Sequence, residues 1–129
     1  MAIHCVDKRY QEKKKIAKEY YLKIGRVWCP ILRDYIAFNQ MGFRHMIRKE
    51  RKPRPQNDQI RKFAFLQLVK DVIESKEVSL IREENMKTSA PWNFLAISEK
   101  KNKQIIVVII RQNRTGYKHF FSVYNQKIA

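Results

Sequence analysis

The sequence has little of what a membrane protein or an exported protein needs. Its most apolar run, residues 105–110, is six residues long, whereas a transmembrane helix requires roughly 20 apolar residues. The first residues also lack the basic and then apolar order of a signal peptide. We therefore expect a cytoplasmic protein, either made in that compartment or delivered into the cytoplasm of a target cell.

Cysteine and histidine are scarce, with two and three copies respectively. Cys5 and Cys29 stand alone, without the CxxC or Cys/His spacing of a zinc site. Glu83 and Glu84 lack the partner motif that a two-metal nuclease would need. We expect no metal and no cofactor, and two reduced thiols, with a disulfide between the two cysteines as the alternative.

Acidic residues are few, because 12 Asp and Glu stand against 28 Lys and Arg, for a formal net charge of +16. Such a surface repels itself unless a polyanion or an acidic protein covers it. The 44% apolar content is nevertheless high enough to build a folded core. Nucleic acid is the first partner that this balance indicates, and membrane binding or plain solubility are alternative explanations. The cations cluster at residues 13–15, 44–54, 100–103 and 111–118.

Length and pattern indicate one α+β domain. A chain of 129 residues supports one core, so we take 1–129 as a single domain, with an N-terminal helical extension at 1–24 and a core at 25–129. Helical periodicity followed by strand patterns predicts helices packed on one face of a four-stranded antiparallel sheet. Asn39 should cap the second helix, and residues 104–110, apolar on both faces, should form a central strand. The predicted helices are 5–24, 41–51 and one from Asn57 or Asp58 to Ile73; the predicted strands are 26–29, 35–38, 78–82, 92–98, 104–111 and 118–124.

His45 is the first candidate for proton transfer. On a helix, His45, Arg48 and Lys49 are neighbours at i, i+3 and i+4, so an imidazole would lie between two cations. An imidazole titrates near neutral pH and can both take and give a proton beside a phosphate. The alternative is a half-buried histidine that caps a carbonyl on a basic helix.

The last strand offers two alternating sets of side chains, and only one can face a site. If Phe121 and Val123 pack under the helices, Lys118, Ser122 and Tyr124 point to the open face and His119 acts only from the mouth of the strand. The opposite register buries Ser122 and brings His119 into the site. We favour the first register because its buried set carries more apolar bulk, and cross-strand packing is the plain alternative for Ser122 and Tyr124.

Arg111 ends the central strand and could bind two phosphate oxygens as a fork, which Lys cannot do. It could equally reach into solvent. The basic run 49–54 has the character of a solvated loop that follows a nucleic-acid backbone. Trp28 and Trp92 are expected in the core rather than as surfaces for base stacking.

Several of these segments together resemble the small toxin domains of the barnase/EndoU/colicin/RelE-like nuclease superfamily, in particular its phage-associated branches. The likeness covers roughly residues 25 to 129. The segments that carry it are IAFN at 36–39, GFRHMI at 42–47, a helix near 62–73, a strand with Trp92, VVIIR at 107–111 and KHFFSV at 118–123.

The resemblance implies a metal-independent ribonuclease that uses the RNA 2′-hydroxyl as nucleophile and leaves a 2′,3′-cyclic phosphate and a 5′-hydroxyl. Its site would lie on the open side of the sheet. The long basic N-terminal helix departs from the family pattern and could be a partner-binding extension, a remnant of a delivery domain or part of the core. The catalytic residues implied are His45, Arg111, Lys118, His119 and Ser122; the RNA-binding residues are Arg44, Arg48, Lys49, Arg51, Arg54, Arg114 and Tyr124.

We therefore expect an endoribonuclease toxin that cleaves tRNA or mRNA, has no membrane partner and is neutralised by an acidic antitoxin or immunity protein. His45 or His119 would be the general base and the other the acid. Two other functions fit the same charge: a non-catalytic RNA-binding module whose aromatics stack on bases, and an adaptor that docks an acidic protein.

Overall fold

The protein has an α+β fold. Its structure, a computed structural model, describes residues 8–49, 52–85, 92–101 and 103–127. The elements, in chain order, are α1 (Lys8–Ile24), β1 (Arg26–Cys29), β2 (Asp34–Ala37), α2 (Gln40–Ile47), β3 (Arg48–Lys49), β4 (Lys52–Pro53), α3 (Gln56–Glu74), β5 (Ser79–Asn85), β6 (Trp92–Lys101), β7 (Gln104–Asn113) and β8 (Lys118–Lys127).

The main sheet has six strands in the order β1-β2-β8-β7-β6-β5. The four C-terminal strands form the antiparallel meander that the sequence predicts, with β7 inside it. The expectation of a four-stranded, purely antiparallel sheet is wrong, because the β1–β2 hairpin joins the edge of β8 in parallel. That junction is a single register pair, Ala37 and His119, between segments that no local pattern connects. A separate two-stranded ribbon, β3–β4, carries part of the basic run.

One face of the sheet builds the core. Ile106, Val108 and Ile110 of β7 share a buried cluster with Leu66 and Val69 of α3. Alternation sends the intervening residues of each strand to the opposite side. We call that side the open face; Phe94 of β6 and Arg111 of β7 lie opposite one another there.

Helix α1 is anchored in the core at its C-terminal end. Tyr21 is fully buried, its ring contacts Phe38, Phe43 and Phe120, and its hydroxyl donates to the Asn39 carbonyl at 2.6 Å. The buried face runs through Tyr10, Ala17 and Tyr21. Ile16, the residue before Ala17, is 66% exposed and lies off this buried face.

Helix α2 begins as the sequence predicts, since the Asn39 side chain accepts a hydrogen bond from the Gly42 amide at 3.1 Å. It ends at Ile47, earlier than expected, because Arg48 and Lys49 turn into β3. Gly42 permits its close approach to β8: a Cβ there would collide with the Phe120 carbonyl oxygen and the Tyr21 hydroxyl. Helix α2 therefore lies against β8 next to the point where β2 ends.

None of the helices among the described residues combines the length and apolarity needed to cross a bilayer. Cys29 is a free and fully buried thiol, and burial raises its pKa. Cys5 lies outside the described residues.

Candidate functional site

A β-bulge in β8 shapes the most polar part of the open face. Ile109 pairs with Ser122 and Ile110 with Phe120, so Phe121 is an extra residue between two regular pairs. Phe120 and Val123 are consequently both fully buried, although strict alternation would put them on opposite faces. Neither register considered from the sequence holds along the whole strand, because each assumed an unbroken period of two.

His119 lies on the N-terminal side of the bulge, paired with Arg111 across the sheet. The Arg111 Nε–H donates to His119 Nε2 at 3.2 Å, and His119 Nδ1 lies 2.9 Å from the Phe120 carbonyl oxygen. An arginine only donates and a carbonyl only accepts, so the geometry fits one tautomer, with the proton on Nδ1. The imidazole is 1% exposed, and burial, aided by the charge of Arg111, lowers its pKa. His119 is therefore a neutral residue that holds a cation in place.

Phe121 brings the distant parts of the site together. Its ring stacks on the His45 ring with 3.9 Å between centroids, and the Arg111 guanidinium carbon lies 4.8 Å from its centroid. Phe94 meets the same ring edge-on at 5.3 Å. His45, Arg111 and His119 thus form one cluster around Phe121, which we call the bulge cluster, although helix α2 and the β7–β8 hairpin are far apart in sequence.

Arg54 holds His45 from the other side. Its Nε donates to the His45 carbonyl at 2.9 Å, and its Nη2 lies 3.3 Å from His45 Nε2. Since a guanidinium cannot accept, Nε2 is the accepting nitrogen in this contact. Burial lowers the pKa of Arg54, which Asp58 partly offsets. The half-buried imidazole of His45 consequently presents its lone pair to a cation at the edge of the site.

The structure does not bring Lys118 into the bulge cluster. Its ammonium pairs with Asp34 Oδ2 at 2.8 Å and also donates to the Gly116 carbonyl. This ammonium holds the pKa of the Asp34 carboxyl below its usual value. Lys118 therefore ties β8 to β2. Ser122 is half-buried and pairs with Ile109 just beyond the bulge.

The predicted RNA-binding residues lie around two cavities and a turn. Arg44 and Arg48 line a cavity of about 350 Å³ with Lys14 and Lys18 of α1. Arg54 and Tyr124 line one of about 330 Å³ with Arg61 and Lys62 of α3. Arg114 is exposed in the β7–β8 turn. The side chain of Lys49 and the whole of Arg51 lie outside the described residues.

Sequence reasoning missed several residues beside the bulge cluster. Met41 Sδ accepts from Arg111 Nη2 at 3.5 Å. Asn39 Nδ2 donates to the Tyr117 hydroxyl at 3.2 Å, and the Tyr117 ring lies 5.9 Å from that of His119. Tyr117 could have been found from the sequence by its position, because it directly precedes the KHFF segment.

Trp28 is also placed differently from the expectation of a core residue. It is 47% exposed, because Val27 and Cys29 occupy the buried face of β1 and alternation turns Trp28 outward. The side chain of Trp92 lies outside those that the structure describes.

Comparisons with protein-family models, with curated proteins and with solved structures give no match for this chain. Across the described part of the chain, no three His, Cys, Asp or Glu side chains are grouped as metal ligands would be.

Proposed function

We propose that this protein is a metal-independent endoribonuclease that cleaves tRNA or mRNA through attack of the RNA 2′-hydroxyl. One observation carries the proposal: His45 and Arg111 lie against the same Phe121 ring, while His119 holds Arg111. A proton-transfer group and a phosphate-binding fork are thereby fixed on different elements of a basic protein, which is the minimum that this chemistry needs.

The proposed roles differ from the expectation that His45 and His119 act as base and acid in either order. Arg111 binds the phosphate that will be cleaved, and its charge stabilises the phosphorane. His45 Nε2 takes the proton from the 2′-hydroxyl once the phosphate has drawn Arg54 away from it. The new 2′-oxygen–phosphorus bond forms as the bond to the 5′-oxygen breaks. His119 is a positioning residue, because both of its ring nitrogens are already engaged.

The Tyr117 hydroxyl is the best placed donor for the leaving 5′-oxygen. It lies beside His119 on a half-exposed ring and is held by Asn39. A phenol donates a proton to the alkoxide as it leaves, so the proton removed by His45 is balanced by one supplied here. Lys118 has no part in this scheme, because Asp34 engages its ammonium.

The surrounding cations support an RNA substrate. Two cavities carrying arginine and lysine side chains flank α2 and α3, and the net charge of +16 favours a polyanion along a broad surface. We further propose that an acidic antitoxin or immunity protein binds this surface when the enzyme must be silent, since it offers the same charge as RNA.

The deciding experiment is incubation with total RNA and purified tRNA in EDTA, followed by mapping of the fragment ends. We expect discrete fragments with 2′,3′-cyclic phosphate and 5′-hydroxyl ends. The matched control is His45→Ala, which should leave the RNA intact while circular dichroism shows a folded protein. Cleavage that requires added magnesium would contradict the mechanism, and cleavage by His45→Ala at the wild-type rate would contradict the site.

A non-catalytic RNA-binding module is the second candidate. It is favoured by the engagement of His45 Nε2 with Arg54 and of both His119 ring nitrogens, which leaves the imidazoles occupied in the absence of RNA. The same incubation distinguishes it, because a binding module would shift RNA in a gel and return it uncut.

A further inference from the structure

An exposed aromatic pair lies on the β1–β2 hairpin. Trp28 and Tyr35 are 47% and 45% exposed, and they are opposite one another in the hairpin register. Their rings meet edge to face with 5.1 Å between centroids. The Arg26 guanidinium lies 4.2 Å from the Tyr35 centroid. We call these three residues the hairpin platform.

The hairpin platform faces the same way as the bulge cluster. Val27, Cys29 and Ile36 are buried on the core side, so alternation turns Arg26, Trp28 and Tyr35 to the open face. Ala37 is level with His119 in the parallel β2–β8 pair, and Tyr35 lies two residues before Ala37, on the same face of β2. With strands about 4.8 Å apart, the three spacings from β1 to β7, the strand of Arg111, amount to roughly 14 Å across the sheet.

The chemistry of the hairpin platform favours a nucleobase over a protein side chain. Exposed apolar side chains that lie together mark interaction sites more often than isolated ones do, and Trp28 and Tyr35 are in contact with one another. Here the aromatics carry a stacked arginine, and the exposed Arg33 lies in the turn of the same hairpin. A π-face beside cations is what single-stranded nucleic acid uses, since bases stack while phosphates are neutralised.

We infer that Trp28 and Tyr35 stack on a base of single-stranded RNA whose scissile phosphate lies at Arg111. The inference rests on the proposed function, which it extends by naming an unpaired segment as the substrate. It also assigns Arg26 to the adjoining phosphate. An acidic protein that covers the hairpin platform is the other occupant to be tested.

The test uses DNA strands, which lack the 2′-hydroxyl and so cannot be cut by the proposed mechanism. Binding of a short single strand is compared with binding of the same strand carrying abasic sugars, at constant salt. We expect Trp28→Ala to weaken binding of the base-containing strand about tenfold, as expected for loss of one stacked base. The abasic strand should bind wild type and Trp28→Ala equally.

Two further variants keep the result interpretable if Trp28→Ala is poorly folded. Trp28→Phe retains a π-face and should bind nearly as well as wild type. Leu80→Ala removes a side chain that is 43% exposed on β5, at the opposite edge of the sheet from β1, and should bind the same as wild type. Intrinsic fluorescence gives a second readout, because a stacked base should quench Trp28, and Trp28→Phe, which retains only Trp92, should lose that quenching.

The inference is overturned if Trp28→Ala binds both strands as wild type does, which would leave the hairpin platform to a protein partner, or if it weakens both equally. The inference about the hairpin platform and the proposed function can be refuted separately. A wild-type protein that binds the base-containing strand through Trp28 but leaves RNA uncut refutes the nuclease and retains the hairpin platform.

Discussion

His119 donates nothing to Arg111; it accepts. The Arg111 Nε–H lies 3.2 Å from His119 Nε2, an arrangement that exists only while the imidazole is neutral at that nitrogen. A histidine that the sequence marks for proton transfer is thus better described as the support of the Arg111 guanidinium.

Replacing His119 with Ala should reduce cleavage about 10- to 100-fold, because Arg111 loses the acceptor that orients its guanidinium. The same variant should keep the pH–rate profile set by His45. His119→Gln, whose amide oxygen can still accept, should recover part of the rate. If His119 were the acid, the profile would lose one limb and Gln would rescue nothing.

Stability should fall as the pH is lowered through the titration range of His119. The folded pKa lies below the ordinary value of 6.5, so below about that pH the unfolded chain binds a proton that the folded protein resists. The stabilisation that neutral His119 gives the folded protein is therefore fully present above the pKa that this histidine has in the unfolded chain. It is lost as the pH falls toward the pKa that it has in the folded protein. Urea denaturation at several pH values should show this decline in wild type and a weaker one in His119→Gln. Equal slopes would contradict the assignment of a neutral, buried imidazole.

His45→Ala should lower cleavage by about 10²- to 10⁴-fold, the usual contribution of a proton-transfer group. The melting temperature should change little by comparison, because His45 is half-buried and lies outside the core. Phe121→Leu is the matched variant: it removes the ring that His45 stacks on and should reduce cleavage while the proton-transfer group remains. A lower melting temperature with an unaltered rate per folded molecule would make His45 structural.

Gly42→Ala should destabilise the protein by about 1–3 kcal/mol, because a Cβ at this position overpacks the contact with β8. The sign of this change in stability is informative, because replacing Gly with Ala inside a helix otherwise stabilises the protein by about 1 kcal/mol. Gly25→Asn provides the contrast: nothing lies within 4 Å of a Cβ there, and Asn tolerates the left-handed backbone. Thermal unfolding of both variants tests the prediction, and a stabilised Gly42→Ala would contradict the described approach of α2.

RNA affinity should weaken steeply with salt, as neutralised phosphates release counterions. Arg61→Gln, in the cavity shared by Arg54 and Tyr124, should reduce the slope of log affinity against log salt by about 1. Glu77→Gln removes an exposed acid and should not reduce that slope. An affinity that is independent of salt in the wild type would remove the electrostatic argument for RNA.

Local patterns predicted the parts of the fold that depend on neighbours along the chain. The Asn39 cap, the third helix with its buried Phe63, Leu66 and Val69, and the C-terminal meander follow from capping chemistry and periodicity. The pairing of Ala37 with His119 could not be predicted that way, because its partners are distant in sequence and the contact is a single pair.

The bulge at Phe121 also could not be predicted from the local sequence pattern. One extra residue reverses the facing of every side chain beyond it, and nothing in KHFFSV marks which Phe is the extra one. His45, Arg111 and His119 were all named as site residues from the sequence; the structure places them around Phe121, and their roles stay predictions. The engagement of Lys118 by Asp34 and of Arg54 by His45 depends on contacts that only tertiary structure provides.

Asn39 joins more of the molecule than a helix cap requires. Its side-chain oxygen receives the Gly42 amide, its side-chain nitrogen reaches Tyr117, and its carbonyl receives Tyr21. Asn39 therefore links α1, the start of α2 and the segment just before β8 through hydrogen bonds. Moving α1 away from the core would break the hydrogen bond from Tyr21 to the residue that both caps α2 and holds the Tyr117 hydroxyl.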